Sequence, residues 1–168
     1  MMMRDELNRV LGLLCKTMPE SYALVYGSEA YPDIQGTVLF YPLWGGTLVV
    51  AEISGLPSLK EKCKGQFFGF HIHEGSECNG TKEDPFADTG NHYNPYQCEH
   101  PYHAGDMPPL LGNDGYAMTL FYTNRFVPEE LIGHTVVIHD KPDDFRTQPS
   151  GASGTKIALS LIHISEPT

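Results

Sequence analysis

The histidines of this 168-residue sequence are concentrated in one region, since seven of the eight lie between positions 71 and 139. Imidazole is the commonest protein ligand for transition metals, so this clustering suits metal binding. Positions 71 and 73 form a His-x-His pair, and a further histidine stands at position 139. The segment between them offers His92, His100, His103 and Asp106.

Two kinds of metal site can be built from these side chains. On a strand, His71 and His73 lie on the same face and form a platform of two nitrogens. Three imidazole nitrogens and one carboxylate oxygen can close a tetrahedral zinc site without cysteine, whereas an all-imidazole site suits divalent copper. His92 lies between the two groups in sequence, and its two ring nitrogens make it the natural bridge between two metals. We interpret His134 and His163 as ordinary polar residues.

The elements that must position these residues are mostly strands. Apolar residues alternating with a period of two predict strands at Tyr22–Tyr26, Ile34–Tyr41, Thr47–Ile53, Phe67–His73, Tyr116–Tyr122, Thr135–His139 and Thr155–Ile162. The glycine-containing turn at 42–46 predicts a hairpin. The polar segments 74–113 and 140–153 are predicted loops, and the histidines of the first favour a functional role. Short strands in this pattern indicate an antiparallel sandwich or barrel.

The N-terminal residues are predicted to form a short helix from Asp5 to Thr17, ended by Pro19. Its apolar run at 10–15 is shorter than the core of a signal peptide, so we expect a cytoplasmic protein. No segment is long enough to span a membrane.

Length and charge narrow the function classes. A chain of 168 residues is expected to form one domain with a real core. Its formal net charge of −10 argues against a nucleic-acid or anionic-membrane partner. The cysteines contain no C-x-x-C pair, which argues against a thiolate zinc site and leaves any disulfide pairing open. They are Cys15, Cys63, Cys78 and Cys98.

Four segments resemble motifs of the copper–zinc superoxide dismutases. They match that family's copper-ligand strand, bridging-histidine motif, zinc-ligand motif and last copper-ligand strand with the loop after it. In that order they are GFHIHEG (69–75), GNHYNP (90–95), HAGD (103–106) and GHTVVIHDKPDD (133–144). The resemblance covers roughly residues 34–158. It implies an all-β, antiparallel Greek-key sandwich or barrel, with the short N-terminal helix outside it.

Carried over residue by residue, the resemblance implies two ligand sets. Copper would take His71, His73, His92 and His139. Zinc would take His92, His100, His103 and Asp106. Asp143 matches the carboxylate that links a copper-ligand histidine to a zinc-ligand histidine, which would fix the orientation of both rings.

The activity implied by the resemblance is the conversion of superoxide to dioxygen and hydrogen peroxide by copper redox cycling. His92 would leave reduced copper, take up a proton and later deliver it, while zinc would hold the bridge and tune its pKa. The family occurs as monomers and dimers, so a homodimer is possible.

One position departs from the family pattern. Lys156 stands where the family carries its substrate-guiding arginine. Lysine keeps the positive charge but lacks the planar fork that holds an anion with two hydrogen bonds, so we expect lower activity. Arg146, in the short connection 145–149, is the only further guide that this region offers.

The C-terminal segment also departs from the family. The resemblance implies a cysteine after Ala158 as the disulfide partner of Cys78, but Leu159 occupies that position. Loss of such a bond costs about 2–4 kcal/mol. Residues 159–168 match the in-frame translation of a sequencing adapter. We therefore expect a helical extension at 1–21, a dismutase-like domain at 22–158 and an artefact at 159–168.

Two other functions fit parts of the sequence. A non-catalytic copper- and zinc-binding protein on the same fold is favoured by Lys156 and the short guiding loop, but the complete ligand set with Asp143 argues against it. A hydrolytic zinc enzyme needs an open zinc position and a general base, for which Glu74 is the only obvious candidate.

The origin of residues 159–168 can be tested directly. We expect resequencing of the source DNA across codon 159 to show a different natural continuation after Ala158. A genomic match for those ten codons would contradict the adapter origin.

Overall fold

The computed structural model describes residues 2–59, 61 and 66–166. Within them the helix α1 spans Met2–Lys16. The strands are β1 (Ser21–Gly27), β2 (Gln35–Leu43), β3 (Gly46–Ser54), β4 (Gln66–Phe68), β5 (Phe70–His73), β6 (Leu110–Gly112), β7 (Ala117–Thr123), β8 (Thr135–His139) and β9 (Lys156–Ile164). Short 3₁₀ turns lie at Ala87–Thr89 and Pro128–Leu131.

Seven of the strands form one antiparallel sheet in the order β5-β8-β9-β1-β2-β3-β7, and β4 pairs with β6 as a separate ribbon. The strands at the two ends of this order share one core, because Ile72 of β5 and Ala117 of β7 belong to the same buried cluster. The sheet therefore curls around its own apolar face. The predicted all-β antiparallel architecture is confirmed.

Alternation along the strands decides which side chains enter the core. In β1, Ala23 and Val25 are fully buried, whereas Leu24 and Tyr26 face outward. The β2–β3 hairpin is closed by Trp44 and Gly45, which both have positive φ (49° and 76°), as a two-residue type I′ turn requires.

One segment that was predicted as a single strand forms two strands. The segment Phe67–His73 is divided at Gly69 into β4 and β5. A Cβ atom at position 69 would lie 2.8 Å from Cβ of Ser153 and 3.2 Å from Cβ of His139, so no side chain fits here without a shift of its neighbours. The predicted loop 74–113 also contains the strand β6, which the sequence analysis missed.

The last strand continues beyond its predicted end. Residues 159–164 pair with both β1 and β8, and Leu159 and Ile162 are buried. Cys78 is a free, exposed cysteine, while Leu159 packs with Phe86 and Val137. Cys15 and Cys98 are also free, and Cys63 lies outside the described residues.

The predicted N-terminal helix is present as α1. In the described part of the chain, no helix has the length and apolar character needed to cross a membrane.

Phe40 tests how much the core contributes to the free energy of unfolding. Phe40 is fully buried and meets Phe126 edge to face, with ring centroids 6.4 Å apart. We expect Phe40→Ala to lower the free energy of unfolding of the metal-free protein by about 3–5 kcal/mol, measured by urea denaturation. Leu111→Ala, at a side chain on β6 that is 48% exposed, should change it by less than about 0.5 kcal/mol. Equal effects would contradict this assignment of the core.

Candidate metal centre

The strand β5 separates the apolar core from a polar centre. Phe70 and Ile72 lie in the core cluster, so the alternating His71 and His73 lie on the other face. Both histidines are buried, at 0% and 2% exposure, which leaves their ring nitrogens to be satisfied within the protein. Next to β5, β8 ends with His139.

The long loop after β5 folds back along the free edge of that strand. Tyr93 N donates a hydrogen bond to Ile72 O (2.7 Å), and Ile72 N donates to Gly105 O (2.9 Å). These bonds place His92 opposite His73 and Asp106 opposite His71. Loop ligands thus gain the fixed register of a strand.

The first group that this arrangement assembles consists of histidines alone. One ring nitrogen of each member lies within 4.8 Å of the others. Its members are His71, His73, His92 and His139. Nε2 of His73 is 3.3 Å from Nε2 of His139, while Nδ1 of His73 lies 2.9 Å from Gly90 O, which orients the ring.

The second group contains a carboxylate, and its ligand atoms also lie within 4.8 Å of one another. Its members are His92, His100, His103 and Asp106. One carboxylate oxygen of Asp106 is 2.6 Å from Nδ1 of His92, and the other lies 3.1 Å from Nδ1 of His100 and 3.4 Å from Nδ1 of His103.

His92 belongs to both groups. Its Nδ1 faces the Asp106 group, so its Nε2 is left for the histidine group. That Nε2 is buried and makes no hydrogen bond to any described residue. A single ring therefore offers a nitrogen to each side.

Asp143 joins the two groups from behind. Its Oδ2 lies 2.7 Å from Nε2 of His71, and its Oδ1 lies 2.8 Å from Nε2 of His100. An N–H on each ring donates to this carboxylate, which directs Nδ1 of each histidine toward its own group. Both of these Nδ1 atoms are buried and make no hydrogen bond within the described residues. Nδ1 of His100 lies 3.1 Å from the Asp106 carboxylate, but both atoms are acceptors because the N–H of this ring is at Nε2.

Three buried ring nitrogens that make no hydrogen bond within the described residues test whether metals fit this centre. They belong to His71, His92 and His100. Buried polar atoms are costly without a partner, and neutral imidazole nitrogens converging with a carboxylate are the donors that copper and zinc accept. The donor set therefore fits two metal ions, one at each group.

Burial keeps the imidazoles of His73 and His139 neutral. Burial, then the neighbouring His71, lowers the pKa of His139 to about 3. Burial, then the nearby His139, holds the pKa of His73 well below its ordinary value. Metal ligands must be deprotonated, so both rings can coordinate across the whole neutral pH range.

The carboxylates are kept charged. Burial raises the pKa of Asp143, but hydrogen bonds from His71, the Phe145 amide and His100 outweigh it, so that the pKa falls well below the ordinary value. Burial likewise raises the pKa of Asp106, and the hydrogen bond from His92 and the nearby imidazoles outweigh it. Both groups are acceptors at neutral pH.

Two further side chains clamp the second group, and the sequence analysis missed both. Gln148 Oε1 accepts from His100 N (3.0 Å), and its Nε2 donates to His100 O (2.7 Å). Nη1 of Arg125 lies 2.9 Å from Pro101 O and 3.2 Å from His103 O. Each contact joins segments distant in sequence, so no local pattern signals it.

Gly151 shows how closely this centre is packed. A Cβ atom there would lie 2.0 Å from Oδ1 of Asp143 and 2.7 Å from Nε2 of His100. Its φ of +71° is also one that favours glycine. Position 151 therefore excludes any side chain from the hydrogen bond between Asp143 and His100.

An open pocket of about 550 Å³ leads to the histidine group. Its lining includes His73, His92 and His139, and the one lysine or arginine among its described lining residues is Lys156. The carboxylate residues Glu74 and Glu99 also line it. Arg146, the second guide expected from the sequence, is not among the lining residues.

The two histidines interpreted as ordinary polar residues lie outside both groups. His134 stacks on Tyr93, with ring centroids 4.4 Å apart, and Nδ1 of His134 is 2.9 Å from Glu74 O. His163, on β9, packs on Tyr22 at 5.6 Å.

The sequence is similar to those of one known protein family. The family model described as copper/zinc superoxide dismutase matches residues 34–162. A Cu–Zn superoxide dismutase from Deinococcus radiodurans is 34% identical, with 72% of each chain covered. Cu–Zn superoxide dismutase 2 from Aquifex aeolicus is 33% identical over 70% of this chain and 72% of its own.

A solved structure supports the same assignment. The crystal structure of a double mutant of a SOD-like protein from Bacillus subtilis superposes with a TM-score of 0.68 at 26% identity. The match covers 83% of this chain and 95% of that one. The chain described here is a member of the copper/zinc superoxide dismutase family.

Proposed function

We propose that this superoxide dismutase holds copper at the four-histidine group and zinc at the group that contains Asp106. The observation that carries the assignment is His92, whose Nδ1 faces Asp106 while its Nε2 faces the other histidines. An all-imidazole donor set suits copper, and three nitrogens with one carboxylate oxygen suit zinc. When bound, copper supplies one-electron redox chemistry toward superoxide and zinc supplies fixed positive charge.

The protein residues divide the remaining work. His92 can hold and release a proton at Nε2, inside the pocket that the substrate enters. Asp143 fixes the tautomers of His71 and His100 by accepting an N–H from each. Lys156 attracts the superoxide anion, because its positive charge lies in the lining of the pocket that also contains His139.

The alternative functions are less well supported. A hydrolytic zinc enzyme needs an open zinc position, but the proposed zinc group already brings four ligand atoms together. Glu74, its candidate base, accepts a hydrogen bond from Asn91 N (3.3 Å). Non-catalytic metal binding is favoured by one observation, the tethering of Lys156 to the backbone at Phe86 O (3.0 Å).

The oligomeric state, the location and the domain bounds of the protein are also proposed. We propose a homodimer, supported by the exposed apolar side chains of Met118 and Leu120 on the edge strand β7. We also propose a cytoplasmic location. The domain bounds 22–158, with 1–21 and 159–168 outside, are proposed for the natural protein, and residues 159–164 complete the last strand in this chain.

Removal of a proposed copper ligand should separate metal binding from folding. We expect His139→Ala to retain zinc, to lose most of its copper and to lower dismutation by more than about 100-fold. The reason is that only three of the four imidazoles remain at the copper group. Metal content by mass spectrometry and superoxide decay by pulse radiolysis measure this. His163→Ala is the matched control and should behave as the parent chain does. Full activity in His139→Ala would contradict the copper assignment.

Removal of charge from the linking carboxylate should affect both groups. In Asp143→Asn the amide nitrogen would face an imidazole N–H instead of accepting from it. We expect zinc affinity, measured by chelator competition, to fall by about 10–100-fold and the copper paramagnetic resonance spectrum to change. Asp144→Asn, next to it and exposed, keeps its acceptor oxygen and should leave both readouts unchanged. An Asp143→Asn protein with parental zinc affinity would contradict the role given to this carboxylate.

A further inference from the structure

The environment of Lys156 contains a second charged group whose effect reaches the pocket. The side chain of Lys156 is 15% exposed, and its Nζ lies 3.6 Å from Oδ2 of Asp84. The same Nζ donates to Phe86 O at 3.0 Å. The ammonium group is therefore held against the 84–86 turn by a backbone oxygen and a carboxylate together.

The carboxylate of Asp84 is itself fixed in place. Its Oδ1 accepts from Phe86 N (3.2 Å), while the backbone of Asp84 is bonded to Thr81, with Asp84 N donating to Oγ1 and Asp84 O accepting from Thr81 N. The side chain is half-buried, at 48% exposure. The charge at position 84 thus has a defined location beside Lys156.

This pairing changes the field that an incoming anion meets. A lone ammonium group attracts an anion as a full charge, whereas an ammonium–carboxylate pair acts at a distance as a dipole, whose field falls off faster. No other lysine or arginine lines the pocket within the described residues, and Glu74 and Glu99 add negative charge. Any loss of field at Lys156 is therefore uncompensated locally.

We propose that Asp84 restrains and partly neutralises Lys156, and so sets how strongly the pocket attracts anions. The inference rests on the proposed function, in which Lys156 guides the superoxide anion. Asp84 acts through Lys156 and is a positioning residue, since it does not line the pocket.

The test is Asp84→Asn in the full chain loaded with copper and zinc. Asparagine keeps the Oδ1 acceptor for Phe86 N, and it replaces the charged Oδ2 beside Nζ with a neutral amide nitrogen that cannot accept from the ammonium group. We expect kcat/KM for superoxide at low ionic strength to rise by about 2–5-fold and to fall more steeply with added salt than in the parent chain. Azide affinity, measured by optical titration of the copper-loaded protein, should rise by a similar factor.

Two controls isolate the pair. Glu83→Gln removes the same charge from the adjacent exposed residue and should change both quantities by less than about 1.5-fold. In a Lys156→Met background, Asp84→Asn should have no larger effect than Glu83→Gln. If Asp84→Asn folds poorly, Asp84→Ser removes the charge and keeps an acceptor oxygen.

The outcomes are distinct. Parental azide affinity and salt dependence in Asp84→Asn would overturn the inference, as would an increase that persists without Lys156. Failure of the proposed function would appear differently, as a parent chain that binds both metals but does not turn over superoxide. The azide titration would still decide the role of Asp84 in that case.

Discussion

Backbone pairing along β5 is the constraint on which the rest of this centre depends. The strand is bonded to β8 on one edge, and on the other edge Ile72 bonds to residues 93 and 105 of the long loop. Because these bonds join main-chain atoms, they fix the positions of His92 and Asp106 independently of their side chains. The pairing of the loop with β5 therefore positions ligand atoms of both groups. Phe70 and Ile72 are packed in the apolar core, which keeps the strand from shifting.

Burial and charge reinforce this geometry. Imidazoles held in a dry environment stay neutral, and the carboxylates among them stay ionised because several N–H groups donate to each. The result is that ring nitrogens and carboxylate oxygens converge in two groups. Asp143 extends this order across the whole centre, since one carboxylate orients a ring in each group. A disturbance at either group would therefore be transmitted to the other.

Much of this could be predicted from the sequence, because the decisive signals are local. The His-x-His pair ends a segment with strand periodicity, and the motif around residues 103–106 is compact. The strand at Thr135–His139 was predicted with its observed bounds. The interruption at Gly69 could not be predicted, because Ser153 and His139, which lie close to it, come from other parts of the chain. The contacts of Gln148, Arg125 and Asp84 were not predicted for the same reason. Each of them joins segments that are distant in sequence and meet only in the folded protein. The ribbon strand β6 was missed because three residues are too few for a periodic signal.

The place of residues 159–164 in the sheet has a consequence for the assembly of the whole fold. These residues lie between β1 and β8, not at an edge, and pair with both. A chain that stopped at Ala158 would expose the facing edges of two interior strands, an open slot lined by unpaired amide and carbonyl groups. Such a slot accepts any extended segment that alternates suitably, including one donated by another molecule. Strand exchange between copies is then the expected route to aggregation for shortened forms of this chain. A short peptide with the same alternation should block this exchange by pairing with the two open edges.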